Sequence, residues 1–533
     1  MQPASHPEPL LTTWEEEALQ GTARYEPVVG DDVLPLTRRA EHHRKHWYAS
    51  PFIVIAAVTA LAGGLRFYHL SDPRSVVFDE TYYARDGCVD SGIPWRQCGL
   101  KQAGEQTVTV HPPVGRELIA LGELAFTRPG DFRCRQDGVP SPTCDPFGWR
   151  LASAVTGTLT VLLAALIAYR LWRSALWAGV AGLLLATESL EFVQSRISMI
   201  DIFVAFFVTM GFLFLVLDRE WIERRTPEPE PVSPEDERTL AEMGMPGDRP
   251  PSPILRPWRL LTGLAFGLAA ASKWNGGTAL IAGVILTLMW ERTRRSKARA
   301  PHPFWETVRD EGFSIVLFLL LVPIAVYLGS YTRWFFQQGG LKIGDWWTLQ
   351  KSMANFSLHL HATHPYASRP WTWMLMLRPV AYYFVGDAAK HTSSEVLGIG
   401  NPVVFWLTLV TIPWTFIAWI RRQDWRYGFI FLAYALQYLP WFAASRTSFL
   451  FYVTPITPFM VLALTTSLRD LSNAGLKRQL ERLTPRRFRA GQVVAIGVVV
   501  LSVAVFAFFF PVLTGRIIST HMWQLRVPFR RWI

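Results

Sequence analysis

The chain has 533 residues, half of them hydrophobic and 14% aromatic, and only 18% carry charge. Soluble domains of ordinary composition are about 25% charged and break their apolar stretches more often, so this chain does not read as a soluble enzyme. The net charge of +11 comes without a basic patch interleaved with aromatics. That excludes a nucleic-acid partner and fits membrane loops rich in Lys and Arg.

Residues 1–35 are polar and acidic and lack the apolar core of a signal peptide. Segment 1–49 is expected as a disordered cytoplasmic tail. Arg38, Arg39, Arg44 and Lys45 precede the first apolar run, 50–68, and hold that flank inside. Segment 69–148 is then outside. It holds all four cysteines, Cys88, Cys98, Cys134 and Cys144. The two pairs, each ten residues apart, lack the close spacing of a zinc site. Two local disulfides, Cys88–Cys98 and Cys134–Cys144, in an oxidising compartment are the simplest reading, with other pairings open on sequence alone.

A helix needs about 20 apolar residues to cross a bilayer. Further runs near 149–171, 174–190, 198–217, 257–272, 276–291, 313–332, 401–420, 427–442, 449–467 and 492–512 make eleven expected spans. Alternation places the basic clusters inside, including Arg292–Lys297 and 469–489. Segment 218–256, acidic and proline-rich from 226 onward, is expected as a cytoplasmic linker. Segment 333–400 is a second large external loop, expected to hold short helices and loops. An odd span count puts the tail 513–533 outside, although Arg516, Arg526, Arg530 and Arg531 run against the positive-inside bias.

Four groups of residues carry chemistry. Asp79 and Glu80 stand together in Val76-Val77-Phe78-Asp79-Glu80-Thr81-Tyr82-Tyr83, about ten residues beyond the first span. Adjacent side chains point different ways, so one acid can serve as general base while the other pairs with a cation; a solvated loop pair is the plain alternative. His111-Pro112-Pro113-Val114-Gly115-Arg116 uses two prolines to stiffen the approach to a helix. Arg66, Arg150, Arg196, Asp201 and Lys273 all fall at the outer ends of spans. Charges there are costly unless paired or functional, and Arg with Lys suits a phosphate. The string His364-Pro365-Tyr366-Ala367-Ser368-Arg369-Pro370-Trp371-Thr372-Trp373, followed by Arg378, offers rings for a sugar and guanidinium for phosphate; on composition alone an interfacial Trp-rich helix explains it better.

Taken in order, F-D-E, V-H-P-P-x-G-R, W-R-L, Q-S-R-x-x-x-x-D, S-K-W-N-G and H-P-Y-x-S-R-P-W-T-W resemble the protein O-mannosyltransferase family, over roughly residues 50–470. The lack of a large β-rich insert in 333–400 looks like the bacterial, actinobacterial branch. Where Arg116 stands, the family commonly has Lys. The resemblance implies an all-α GT-C bundle over 50–512. It also implies a polyprenyl phosphate mannose donor, Ser or Thr acceptors on secreted polypeptides, and inversion at the sugar. Asp79 matches the general base. Glu80 matches the second motif acid, with an organising role through Arg66 or Arg150, and Asp201 the other acidic position of the class. Arg116, Arg196, Lys273 and Arg378 become phosphate candidates. Arg66, His111, Arg150, His364, Arg369 and Trp371 complete the expected substrate-binding set. Some relatives hold a divalent metal with such acids; the reading requires none, since Arg and Lys can neutralise the phosphate. The implied location is the plasma membrane with the site outside, and the secretion translocon is a further expected partner.

Three rivals are weighed. A GT-C enzyme with a lipid or cell-wall acceptor is disfavoured by the H-P-Y-x-S-R-P-W-T-W string. An oligosaccharyltransferase would carry a large C-terminal domain, and 21 residues follow the last span. A transporter would show repeats and charges at mid-membrane, whereas these gather at one rim.

Overall fold

In a computed structural model of the chain, the described residues are 50–99, 110–128, 130–135, 139–226, 239, 253–361, 363–474 and 490–532. The tail 1–49 and linker residues 227–238 and 240–252 lie outside them. The helices in chain order are α1 (Pro51–Phe67), α2 (Glu80–Asp90), α3 (Val114–Phe126), α4 (Phe147–Trp172), α5 (Ala175–Ala186), α6 (Ser189–Gln194), α7 (Asp201–Glu223), α8 (Pro257–Ser272) and α9 (Thr278–Lys297). Next come α10 (Pro303–Val316), which runs through one π turn into α11 (Val322–Ser330), then α12 (Thr332–Gln337) and α13 (Ile343–His359). After a β-hairpin the bundle closes with α14 (Pro402–Arg422), α15 (Trp425–Tyr438), α16 (Pro440–Ala443), α17 (Thr457–Asn473), α18 (Ala490–Leu513) and α19 (Thr520–Arg526).

Every apolar run read as a span is helical. Six helical stretches among the described residues are long and apolar enough to cross a membrane by themselves, while α1 and α5 are apolar but shorter. Local signals set the ends. Asn401 accepts from the Val403 amide ahead of α14, with Pro402 at the first helical position, and Asp424 accepts from the Arg426 amide to start α15. The helices α4 and α7 form the buried centre, flanked by α1, α5 and α8. Gly157 lets α4 approach Ser195 closely: a Cβ there would collide with the Ser195 Cβ and lie 3.1 Å from Arg66 Nε.

The purely helical expectation misses a small sheet. Segment 333–400 holds β1 (Val380–Asp387) paired antiparallel with β2 (Thr392–Gly398), and β2 also pairs with β3 (Ile518–Ser519) from the tail. The run Val380-Ala381-Tyr382-Tyr383-Phe384-Val385 is rich in the branched and aromatic residues that fit a pleated surface. The tail is fastened further by Trp523 Nε1, which donates to Glu395 at 2.6 Å, and by Arg516, which donates to the Tyr68 hydroxyl at 2.7 Å. The described parts of segments 69–148, 333–400 and 513–532 therefore share one face of the bundle. Within the tail, Arg526 donates to the carbonyls of Phe508 and Met522.

At the other end, 17 residues and about 25 Å along α7 from Asp201, a buried ionic network ties α7 to α10. Arg256 donates to both oxygens of Asp218 and to Glu291, and Arg259 to Asp218, Glu311 and Ser314. Asp218, read as the start of a linker, is thus part of a continuing helix, and Arg256 is buried.

On the loop face, Cys88 pairs with Cys98 and Cys134 with Cys144. The first pins the end of α2. The second sits beside Phe132, whose ring stacks on Trp149 at 4.5 Å, next to Arg150. The side chains of Arg150 and Glu80 are fully buried. Glu80 accepts from Arg150 Nε at 2.8 Å and Nη2 at 3.0 Å, and from the amides of Val77 and Ser198. Arg150 also donates to the carbonyls of Leu70, Asp72, Pro73 and Ser75. One ion pair thus fixes the turn 70–75, the start of α2, α4 and the approach to α7.

Two outcomes follow. Glu80→Gln leaves the Arg150 charge buried without its partner and should cost about 3–5 kcal/mol, read as a large fall in melting temperature in detergent; an unchanged melt would contradict the brace. Cys88→Ser with Cys98→Ser removes a link across ten residues, worth about 3 kcal/mol in the chain-entropy account, and should lower the melting temperature of the oxidised protein but not that of the reduced one.

Candidate active site

Asp79 is the N-cap residue of α2, but its side chain makes no capping bond. The residue before it, Phe78, has φ +48°, in the left-handed region that costs a non-glycine residue about 1–2 kcal/mol. Packing holds it there: the Phe78 ring lies 5.1 Å from Tyr382, 5.9 Å from Phe451 and 6.4 Å from His364. This bend turns Asp79 one way while Glu80 enters the protein. The two motif acids part as expected, with Arg150, not Arg66, as Glu80's partner.

Asp79 finds no hydrogen-bond or ion-pair partner for its carboxylate among the described residues. It shares its surroundings with Lys273 and Asp201. Burial pushes its pKa up to about 6; Lys273 pulls it down and Asp201 adds to the rise. The Lys273 ammonium donates to both oxygens of Asp201, at 2.8 and 3.0 Å, and lies 4.4 Å from the centre of the Tyr452 ring. The sequence places these residues by ending helices: Lys273 is the first residue after α8, in an extended conformation, and Asp201 is the first of α7.

Aromatic rings surround the Asp79, Lys273 and Asp201 cluster, the candidate cleft. Burial, with Asp79 and Asp201 nearby, pushes the Tyr83 and Tyr382 hydroxyls well above their usual range, so both stay protonated donors. The Tyr382 hydroxyl accepts from Gln194 at 2.5 Å. His111 lies 6.2 Å from Tyr83. Burial, and then Lys273, Arg446 and Arg116, push its pKa well down, so it is neutral. Arg116 donates to Asp86 at 3.2 Å; burial still carries Asp86 up to about 7 against the pull of Arg116. His364 packs edge-on against Phe449 at 5.0 Å, and its Nδ1 accepts from the Tyr366 amide.

Several expected phosphate ligands are elsewhere. Arg66 is fully buried and pairs with Glu191. Arg196 is 3% exposed and donates to the carbonyls of Leu65, Arg66, Tyr68 and His69. Arg150 serves Glu80. These three hold the loop face together and do not reach the cleft. The charges at span ends signal ion pairs and carbonyl clamps as readily as a ligand, and their partners, Glu191 and the turn 65–75, carry no motif. Arg378 donates to the carbonyls of Pro365 and Arg531. With the exposed Arg369 and Trp371 it borders a separate outer cavity. Conversely, Tyr83, Gln194, Tyr382, Phe451, Tyr452 and Arg446 were not anticipated. Tyr83 and Gln194 lie inside the motif strings; Tyr382 comes from a strand, Arg446 from a loop, and Phe451 and Tyr452 from a 3-10 turn at the start of the run 449–467. No group of three or more His, Cys, Asp or Glu that could hold a metal ion is found among the described residues, and Lys273 engages both oxygens of Asp201.

Two family models match the chain. One, dolichyl-phosphate-mannose-protein mannosyltransferase, covers residues 56–227; the other, the C-terminal four-transmembrane region of protein-O-mannosyltransferase, covers 342–532. The chain is 30% identical over 519 residues to the polyprenol-phosphate-mannose–protein mannosyltransferase of Mycolicibacterium smegmatis (strain MKD8), across 91% of this chain and 93% of that one. It is 30% identical over 517 residues to the protein of the same name in Mycobacterium tuberculosis (strain CDC 1551 / Oshkosh), across 90% and 92%. Its fold is similar to that of the S. cerevisiae protein O-mannosyltransferase Pmt1-Pmt2 complex bound to the sugar donor, with TM-score 0.67 at 15% identity, covering 91% of this chain and 92% of that one. With relatives this similar along nearly its whole length, the chain belongs to the protein O-mannosyltransferase family.

Proposed function

We propose that this chain transfers mannose from a polyprenyl phosphate mannose to Ser or Thr hydroxyls of secreted polypeptides, at the outer face of the plasma membrane and with inversion. The observation that carries the reading is Asp79: a carboxylate without a partner, in an aromatic-walled cleft, facing a lysine. The acceptor Oγ attacks the anomeric carbon as Asp79 takes its proton. The bond from that carbon to the phosphate oxygen breaks, and polyprenyl phosphate leaves with one more negative charge than it carried in the donor. Lys273 has three donors, and two rest on Asp201, so the third is free for the phosphate, where charge develops. Arg446, close enough to His111 to depress its pKa, is the second phosphate candidate. Tyr83 and the Tyr382 hydroxyl face the sugar. Glu80 and Arg150 position Asp79 from behind. The secretion translocon is the partner expected to deliver an extended acceptor, and the N-terminus is then cytoplasmic.

The test uses purified protein, a prenyl phosphate mannose and a Ser/Thr peptide. Label on the peptide supports the reading; label confined to lipid would move the acceptor to a lipid or glycan. Asp79→Asn should reduce kcat by about 10²–10⁴-fold with an unchanged melting temperature, and near-normal turnover would remove Asp79 as base. Because the base must be ionised, log kcat/KM should rise with pH up to a midpoint near 6 and level off above it. Lys273→Met removes the charge that favours the ionised form, so the midpoint should move up in whatever activity remains; a midpoint unmoved by that change would separate the two groups.

A further inference from the structure

The outer cavity bordered by Arg369 shares only Arg446 with the groups assigned to the chemistry above. It encloses about 860 Å³ and is lined by segments 367–372 and 444–448 and by the tail at Arg531. Four guanidinium groups face it, from Arg369, Arg378, Arg446 and Arg531, and no acidic side chain lines it. Arg378 is fixed by two carbonyls. Arg369 and Arg531 are exposed and have no ion-pair partner among the described residues. Trp371 and Trp441 add flat apolar surface. The cavity is joined to the cleft through one side chain: Arg446 donates to the Tyr452 hydroxyl at 3.3 Å, and the Tyr452 ring lies under Lys273.

We infer that this cavity binds acidic side chains of the acceptor polypeptide next to the Ser or Thr that is modified. The inference rests on the proposed transfer to polypeptides and names which polypeptides are preferred. A donor lipid does not fit the cavity. Its single phosphate must sit beside the sugar, within reach of Lys273, and its hydrocarbon chain gains nothing from a wall of guanidinium groups. An extended peptide threaded past Asp79 carries its neighbouring residues several ångströms beyond the cleft, about 3.3 Å per residue. Carboxylates placed there meet planar donors that match them in pairs. The Trp faces accept the intervening apolar residues.

The experiment compares peptides of one core sequence with neutral, acidic or basic residues two to six positions from the acceptor Thr, using the full chain in detergent. The wild type should favour the acidic over the neutral peptide by about tenfold in kcat/KM, carried by KM, in line with steering and pairing by rim charges. Arg369→Gln with Arg531→Gln should bring that ratio to about one. Arg369→Glu should make the basic peptide the better substrate, a gain that misfolding cannot mimic. Equal use of all three peptides by the wild type would overturn the inference while leaving polypeptide transfer intact, whereas no label on any peptide would overturn the transfer itself. A rise in the KM for donor common to all peptides would reassign the cavity to the donor phosphate. Restoration of the variants only by vesicles rich in anionic phospholipid would reassign it to a lipid headgroup.

Discussion

The pairing of Glu80 with Arg150 is the constraint on which the working face depends. Two opposite charges have been removed from water completely, which is tolerable only because every oxygen and nearly every donor is engaged. The pair joins four chain segments that would otherwise be linked only through loops. Its removal would release the turn before α2 and, with it, the direction in which Asp79 points. Adjacent acids along a chain thus acquire opposite fates: one is saturated and inert, the other is left open.

Around that brace, electrostatics and aromatic packing divide the labour. Asp79 is buried enough for its proton affinity to rise into the working range of a base, and Lys273 is near enough to keep the rise moderate. Asp201 anchors the ammonium, so Lys273 does not close onto Asp79 and neutralise it. The tyrosines stay protonated and supply hydroxyl donors within a hydrocarbon wall. A cleft of this kind can exclude water from a glycosyl donor while still accepting a proton.

Much of this was legible in the sequence because it is local. Helices announce themselves by apolar runs, and Asp79, Asp201 and Lys273 stand at helix ends where a span meets its loop. The cysteine spacing pointed to the bridges that the structure contains. What escaped was non-local. Arg66, Arg150 and Arg196 look alike in the chain, and only their distant carboxylates and carbonyls assign them to scaffolding. Tyr382 belongs to β1, whose partner β2 is in turn joined to β3 of the tail, and Arg446 to a loop with no motif. The sheet was missed because only the first strand carries a strand signal, while its partner Thr392–Gly398 and the two-residue β3 carry little. The basic tail seemed misplaced by charge counting, which does not see that Arg526 is held by two carbonyls and Arg516 by a tyrosine hydroxyl.

That tail has a consequence for how the protein is made. Ser393 and Thr520, which meet across the edge of the sheet, are separated by 127 residues, and α14, α15, α17 and α18 lie between them. The hairpin that carries Tyr382 can therefore be tied to the tail only after those helices have been threaded through the bilayer and packed. Closing so long a loop is slow compared with forming neighbouring helices. During biosynthesis the rings that line the cleft would come to their final positions late, so a half-inserted chain would be a poor catalyst toward its neighbours, and competence would arrive with completed assembly.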